Sequence, residues 1–161
     1  MKKIVYIPIL LLTLIVGCLK EEEYPIEPVL TFQELKTFNG DSARLILGFT
    51  DGDGDFGLND NDTMAPNFCG TCPYHQNLIL DYYELQDGEW TEVEAALPFN
   101  VRVPYLQPTG QKKSQKGKID VLMLDYYLET PFDTFKFVIK GYDRALHVSN
   151  ILETSAFIKV N

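Results

Sequence analysis

From Val29 onward, apolar and polar residues alternate with a period of two over much of the chain. In Ala43-Arg44-Leu45-Ile46-Leu47-Gly48-Phe49-Thr50, the residues Ala43, Leu45, Leu47 and Phe49 share one face. Phe135, Phe137 and Ile139 alternate with Lys136, Val138 and Lys140, and Ala156, Ile158 and Val160 alternate with Ser155, Phe157 and Lys159. Side chains that change face at every step mark half-buried β-strands. Leu78 to Gln86, then Asp87-Gly88, then Glu89 to Val93 predicts a β-hairpin, because Asp-Gly tolerates the positive φ angles of a two-residue turn. Phe99 to Tyr105 and Lys118 to Tyr127 are further strand candidates, and no stretch sustains a helical period for three turns. Seven to eight strands joined by Pro- and Gly-bearing turns predict an all-β fold, an antiparallel β-sandwich over residues 29–161.

Two segments of this pattern echo each other: Leu78-Ile79-Leu80-Asp81-Tyr82-Tyr83 and Leu122-Met123-Leu124-Asp125-Tyr126-Tyr127. Their flanks do not match, so similar packing rules account for the echo better than a duplication does. Adjacent tyrosines in a strand point to opposite faces, so each pair is expected to place one ring inward and one outward. Outward rings, together with Trp90, would offer a surface on which a sugar could stack.

The first residues break the pattern. Lys2 and Lys3 precede an uncharged run of 16 residues, Ile4 to Leu19, which contains Pro8 and Gly17. That is short for a bilayer span, which needs roughly 20 residues, and it fits a signal peptide, expected as a helix over residues 1–17. The run ends Ile15-Val16-Gly17-Cys18, which resembles the lipobox of bacterial lipoproteins. The resemblance implies cleavage before Cys18 and lipidation of Cys18. Since each buried CH₂ contributes about 0.8 kcal/mol, a multiply acylated cysteine is an effectively permanent membrane anchor. Residues 18–28, with Glu21-Glu22-Glu23 and then Pro25 and Pro28, read as an acidic, proline-stiffened tether. The acidic cluster beside the lipidated Cys also resembles the surface-export signal of Bacteroidota lipoproteins. It implies an outer-membrane protein of the cell envelope, with exposure on the outer face as a further expectation.

Charge sharpens the picture. The chain has 161 residues, with 14 Lys+Arg against 23 Asp+Glu and a net charge of −9. Without Lys2 and Lys3 the imbalance grows. An acidic surface of this kind excludes a sequence-independent hold on nucleic acid, which requires a surplus of basic side chains. Lys112, Lys113, Lys116 and Lys118 do crowd one stretch, either as a solvated loop or as a patch for phosphate or an acidic glycan.

The acidity concentrates in Asp51-Gly52-Asp53-Gly54-Asp55-Phe56-Gly57-Leu58-Asn59-Asp60-Asn61-Asp62, directly after a strand. Five carboxylates in so short a loop repel one another unless a cation neutralises them, while the glycines let the backbone curl around a centre. Calcium, a hard cation taking six to eight oxygens in flexible geometry, suits such a loop. Phe56 stands where an EF-hand needs glycine, and no helical pattern flanks the loop, so it is not an EF-hand. It resembles instead the DxDGDG loops of extracellular calcium modules. Asp51, Asp53 and Asp55 are the leading ligand candidates, followed by Asp60 and Asp62. Asp143 would complete the site if its loop lies at the same end of the sandwich.

Cys69 and Cys72 remain once Cys18 is lipidated. In an exported protein two such cysteines form a disulfide most often. The Cys69-Gly70-Thr71-Cys72 spacing is also that of a thioredoxin-type redox motif, and Cys69, Cys72 and His75, with His147, have the spacing of metal ligands. Catalytic motifs are missing: there is no G-x-S-x-G elbow, no phosphate-binding glycine loop and no H-E-x-x-H.

The lipobox, the Phe49-Thr50-Asp51-Gly52-Asp53-Gly54-Asp55-Phe56-Gly57 segment, the Asp81-Tyr82-Tyr83 strand and Asp143-Arg144-Ala145-Leu146-His147-Val148-Ser149-Asn150 together resemble small Bacteroidota lipoproteins of unknown function. That resemblance implies an Ig-like sandwich but brings no activity with it, and it does not account for the Cys69/Cys72 segment. The expectation is a non-enzymatic, membrane-anchored binding or structural domain, stabilised by calcium, with a protein or glycan as partner. A glycan-binding accessory lipoprotein is the main alternative, and a small envelope enzyme the third.

Overall fold

The computed structural model describes residues 22–38, 42–109 and 112–159, so the signal segment and Cys18 lie outside the described residues. The described residues form eight strands and no helix: β1 (Val29–Thr37), β2 (Ala43–Asp51), β3 (Leu78–Gln86), β4 (Glu89–Glu92), β5 (Gln115–Met123), β6 (Thr134–Gly141), β7 (Leu152–Glu153) and β8 (Phe157–Ile158). They make two antiparallel sheets. One has the order β1-β2-β5; the other runs β4-β3-β6-β7, with β8 also pairing to β6. The all-β sandwich expected from the sequence is the fold observed.

The two sheets meet through the inward row of each strand. Ala43, Leu45, Leu47 and Phe49 of β2 are buried, as are Leu78, Leu80 and Tyr82 of β3 and Phe135, Phe137 and Ile139 of β6. Tyr82 stacks on Phe135 and Phe99 with ring centroids 5.4 and 5.5 Å apart. Burying side chains of this size contributes roughly 1.5–3 kcal/mol each, the main driving force for closing the sandwich. The Asp87-Gly88 hairpin forms as predicted, with φ of 52° and 90° at its two central residues. Tyr82 turns into the core and Tyr83 away from it, as strand geometry requires.

Three sequence expectations shift. β5 covers Gln115–Met123 rather than Lys118–Tyr127; the chain leaves the sheet after Met123, and the Tyr126 ring enters the core at 0% exposure. The echo between Leu78–Tyr83 and Leu122–Tyr127 is therefore not a structural repeat. Phe99 to Tyr105 is not a continuous strand. It touches the sheets only through isolated bridges from Val101 to Leu78 and from Pro104 to Leu58, Pro104 having no N–H to extend a ladder. Finally, β8 and the residue after it turn Phe157 and Lys159 inward, leaving Ile158 70% exposed. The physical reason is a buried partner for Lys159, the Glu84 carboxylate at 2.9 Å.

Candidate metal centre

Strand periodicity itself delivers two carboxylates to one place. The inward row of β2 continues past Phe49 to Asp51, the last residue of the strand, and Asp51 is 0% exposed. In β6 the inward row Phe135, Phe137, Ile139, Gly141 leads two residues further to Asp143, also 0% exposed. β2 and β6 belong to opposite sheets, so these two side chains converge from the two layers at one end of the sandwich.

The loop between them supplies the rest. Gly54 and Gly57 adopt φ of 73° and 106°, conformations that L side chains rarely take, and so fold the Asp51–Gly57 segment back on itself. Phe56 is driven into the core, 1% exposed, where its ring lies 5.3 Å from that of Phe49. Its amide donates to Asp51 Oδ2 at 2.7 Å. With the loop pinned in this way, Asp51, Asp53, Asp55 and Asp143 each place a carboxylate oxygen within 4.8 Å of the others. Oδ1 of Asp51, Asp53 and Asp55 is buried and accepts no hydrogen bond from the described residues.

Such an arrangement is costly on its own. A buried acceptor without a donor forfeits its hydration, and like charges a few ångströms apart repel. Burial pushes the Asp51 carboxyl up to about 6; the Phe56 amide opposes this, and Asp53 and Asp55 add to it. Burial likewise pushes Asp55 up to about 6, with the charges of Asp143 and Asp53 acting in the same direction. Asp51 and Asp55 are thus held closer to neutrality than ordinary carboxylates, and either a proton or a cation would relieve them. The donor set is all oxygen, the preference of a hard divalent ion rather than a thiophilic one.

The surroundings hold these carboxylates in place. His147 donates its amide to Asp143 Oδ1 at 2.8 Å, and its ring Nδ1 lies 2.8 Å from Asp143 Oδ2. That hydrogen bond, followed by the Asp143 charge, raises the His147 pKa above its ordinary value. The amide of Arg144 reaches the Asp55 carbonyl at 3.4 Å, and Gln115 Nε2 donates to the Gly54 carbonyl at 3.1 Å. The expected tether also takes part: the Gly52 amide donates to the Pro25 carbonyl at 2.7 Å, and Lys116 pairs with Glu22 at 2.9 Å. Residues 22–28 therefore lie against the domain.

Two expected ligands are elsewhere. Asp60 is exposed and does not join the converging oxygens. Asp62 is consumed by other partners, accepting the Asn59 amide at 2.8 Å and pairing with Arg144 Nε at 3.2 Å. That Arg144 ion pair, beside Asp143 in the chain, was not foreseen from the sequence. Nor were the three carbonyls gathered by Arg102, those of His75, Asn59 and Asp62. A basic residue capping loop carbonyls leaves no spacing signature.

The remaining candidates resolve separately. Cys69 and Cys72 are joined as a disulfide, so neither offers a thiolate to a metal, and His75 turns to the Phe68 carbonyl at 3.2 Å. The Ser149 hydroxyl lies against the Gly141 amide and the Asn150 carbonyl rather than beside His147. Tyr83 and Trp90 share an outer surface with Lys136, whose ammonium sits 4.7 Å from the Trp90 ring centroid. Among the described residues no helix is long and apolar enough to cross a membrane. The chain matches no protein-family model, no curated protein and no solved structure.

Proposed function

We propose that this chain is an envelope-anchored lipoprotein, attached through Cys18, whose β-sandwich serves a binding or structural role and takes up Ca²⁺ at Asp51, Asp53, Asp55 and Asp143. The observation that carries the calcium reading is the set of buried, partnerless Oδ1 atoms of Asp51, Asp53 and Asp55 gathered with Asp143. A cation there satisfies all three at once and cross-links the two sheets through β2 and the residues after β6. The same cation stiffens the loop against which Pro25 docks, so occupancy fixes how the domain leaves its anchor. The leader, Gly17 and Cys18 support the anchor.

The test is thermal unfolding of the purified chain in Ca²⁺, in Mg²⁺ and in chelator, beside the Asp53→Ala variant. Calcium is expected to raise the melting temperature of the parent and not of the variant; identical curves in Ca²⁺ and chelator would overturn the reading. Replacing Cys18 with Ser and following detergent partitioning tests the anchor independently.

A glycan-binding role is the second reading, favoured by the juxtaposition of Tyr83, Trp90 and Lys136. Lys136 already covers part of the Trp90 ring, so a sugar would have to displace an ammonium that also pairs with Glu153 at 2.8 Å. Glycan-array binding lost in the Trp90→Ala variant would favour it.

A further inference from the structure

β5 is the open edge of its sheet: it pairs with β2 on one side, and among the described residues no backbone hydrogen bond reaches its other side. An edge of nine residues with unpaired N–H and C=O groups is a template for another strand unless something blocks it. Here the exposed row of the strand reads Lys116, Lys118, Asp120, Leu122. Beside this edge runs an apolar cleft of about 330 Å³, lined by Phe49, Phe56, Val101, Val103 and Leu106 together with β5 itself. Leu122 is 57% exposed, Leu106 65% and Leu124 70%. Apolar side chains along a bare sheet edge mark an interaction surface.

The charge order on the edge selects the occupant. We infer that it is a second copy of the same chain, its β5 running antiparallel to the first about a two-fold axis at Ile119. In that register Lys118 of each copy faces Asp120 of the other, and the stem of each Lys116 lies beside Leu122. All nine residues of β5 are then paired. Sliding by one same-face step sets Lys118 against Lys118, keeps Lys116 opposite Asp120 and leaves the last two residues of β5 unpaired; sliding the other way sets Asp120 against Asp120. A register offset by a single residue places the core row opposite the solvent row, which the pleat forbids. The register about Ile119 is thus the one that pairs the whole of β5 while opposing no like charges.

Asp120 is suited to this part. Its Oδ2 already holds Arg44 at 3.1 Å, and both side chains remain about half exposed, so the carboxylate can accept a second cation from across the axis. Lys118 has no ion-pair partner among the described residues. The product is a continuous six-stranded sheet, β1-β2-β5-β5-β2-β1, in which the clefts of the two copies meet beneath the new strand pair.

The experiment measures the mass of the full chain in solution, in detergent where the anchor is retained, by analytical ultracentrifugation over a concentration series. The parent is expected to dimerise. Lys118→Asp, which turns both cross-axis pairs into like charges, is expected to weaken the dimer roughly tenfold or more, and the Lys118→Asp/Asp120→Lys double variant to restore it. Zero-length carbodiimide crosslinking of mixed ¹⁴N- and ¹⁵N-labelled parent chain is expected to yield a Lys118–Asp120 linkage between differently labelled copies, a readout that requires no variant to fold. A parent that stays monomeric throughout the series overturns the inference. So does a dimer that is indifferent to Lys118→Asp and gives no Lys118–Asp120 crosslink.

Discussion

His147 grips Asp143 twice: its amide donates to Oδ1 at 2.8 Å and its ring Nδ1 lies 2.8 Å from Oδ2. The two contacts fix the plane of a carboxylate that has no exposure to solvent. Groups that orient a metal ligand from behind typically contribute 10–100-fold to affinity. In His147→Ala the amide contact survives and the ring contact is lost. Calorimetric titration is therefore expected to show about tenfold weaker Ca²⁺ binding. Unchanged affinity would mean that Asp143 is not a ligand, or needs no such support.

Acidity should act on the same cluster with a definite sign. Asp51 and Asp55 are pushed up to about 6 from an ordinary 3.8, so between those limits the folded chain holds more protons than the unfolded one, and stability falls as pH rises. His147 is raised above 6.5, so its contribution is present in acid and is lost as pH rises through the raised value. All three push the same way. Without a divalent ion the chain is expected to melt at a lower temperature at pH 7.5 than at pH 5. Calcium bound at the proposed site would displace these protons, so the expected rise in melting temperature should be larger at pH 7.5 than at pH 5. Scanning calorimetry in metal-free and calcium-containing buffers at the two pH values checks this; a calcium increment that is the same at both would sink it.

Two glycines with the same backbone sign separate strain from crowding. Gly54 and Gly88 have φ of 73° and 90°. A Cβ on Gly88 meets nothing within 4 Å, whereas one on Gly54 would overlap the Lys113 carbonyl and stand 3.1 Å from Pro108 Cγ. Gly88→Ala is expected to cost only the conformational penalty, about 1–2 kcal/mol. Gly54→Ala should cost more, about 2–4 kcal/mol, because loop and neighbouring backbone must part, and it should abolish the response to calcium as well. Urea unfolding of the two variants side by side decides it. Equal losses would show that the Gly54 loop moves aside freely.

Much of the site could be read in advance because it obeys the strand period. Asp51 is simply the next inward position after Phe49, and Asp143 extends the inward row of β6, so two of the converging carboxylates follow from the alternation that predicted the core. Asp60 and Asp62 shared the composition of the loop but not its geometry. Whether an aspartate joins the carboxylate cluster or an arginine depends on where Arg144 lies, and that is settled by tertiary contact. The same limit applies at the end of the chain, where Phe157 and Ile158 have similar propensity. The choice of face there is made by Glu84, far away in sequence, which draws Lys159 inward. Tyr126 lies beyond the end of β5, where its ring is buried in the core, and its sequence pattern alone did not show that the strand stops at Met123.

That buried pair yields the last expectation. Lys159 Nζ lies 2.9 Å from Glu84 Oε1 and 2.8 Å from Thr130 Oγ1, and Thr130 donates to the same Glu84 oxygen at 2.6 Å. The side chains of Glu84 and Lys159 are 0% and 5% exposed. Burial pushes the Glu84 carboxyl up, but the Thr130 and Lys159 hydrogen bonds and the ammonium charge outweigh it, and its pKa falls below the usual value. A depressed carboxyl stabilises the fold above its unfolded pKa and loses that stabilisation as pH falls through the folded value, so this pair should contribute to acid unfolding below about pH 4.5. Removing one partner strands the other charge in a dry site. Lys159→Met and Glu84→Gln are each expected to lose about 3–5 kcal/mol, while the double variant recovers part of the loss, because a buried pair attracts strongly but both its members cost much to desolvate. A double-mutant cycle by chemical unfolding measures that recovery. If the two single losses simply add, Lys159 and Glu84 are not coupled, and the inward turn of the last residues must be attributed to Phe157, whose ring lies 5.6 Å from that of Phe135.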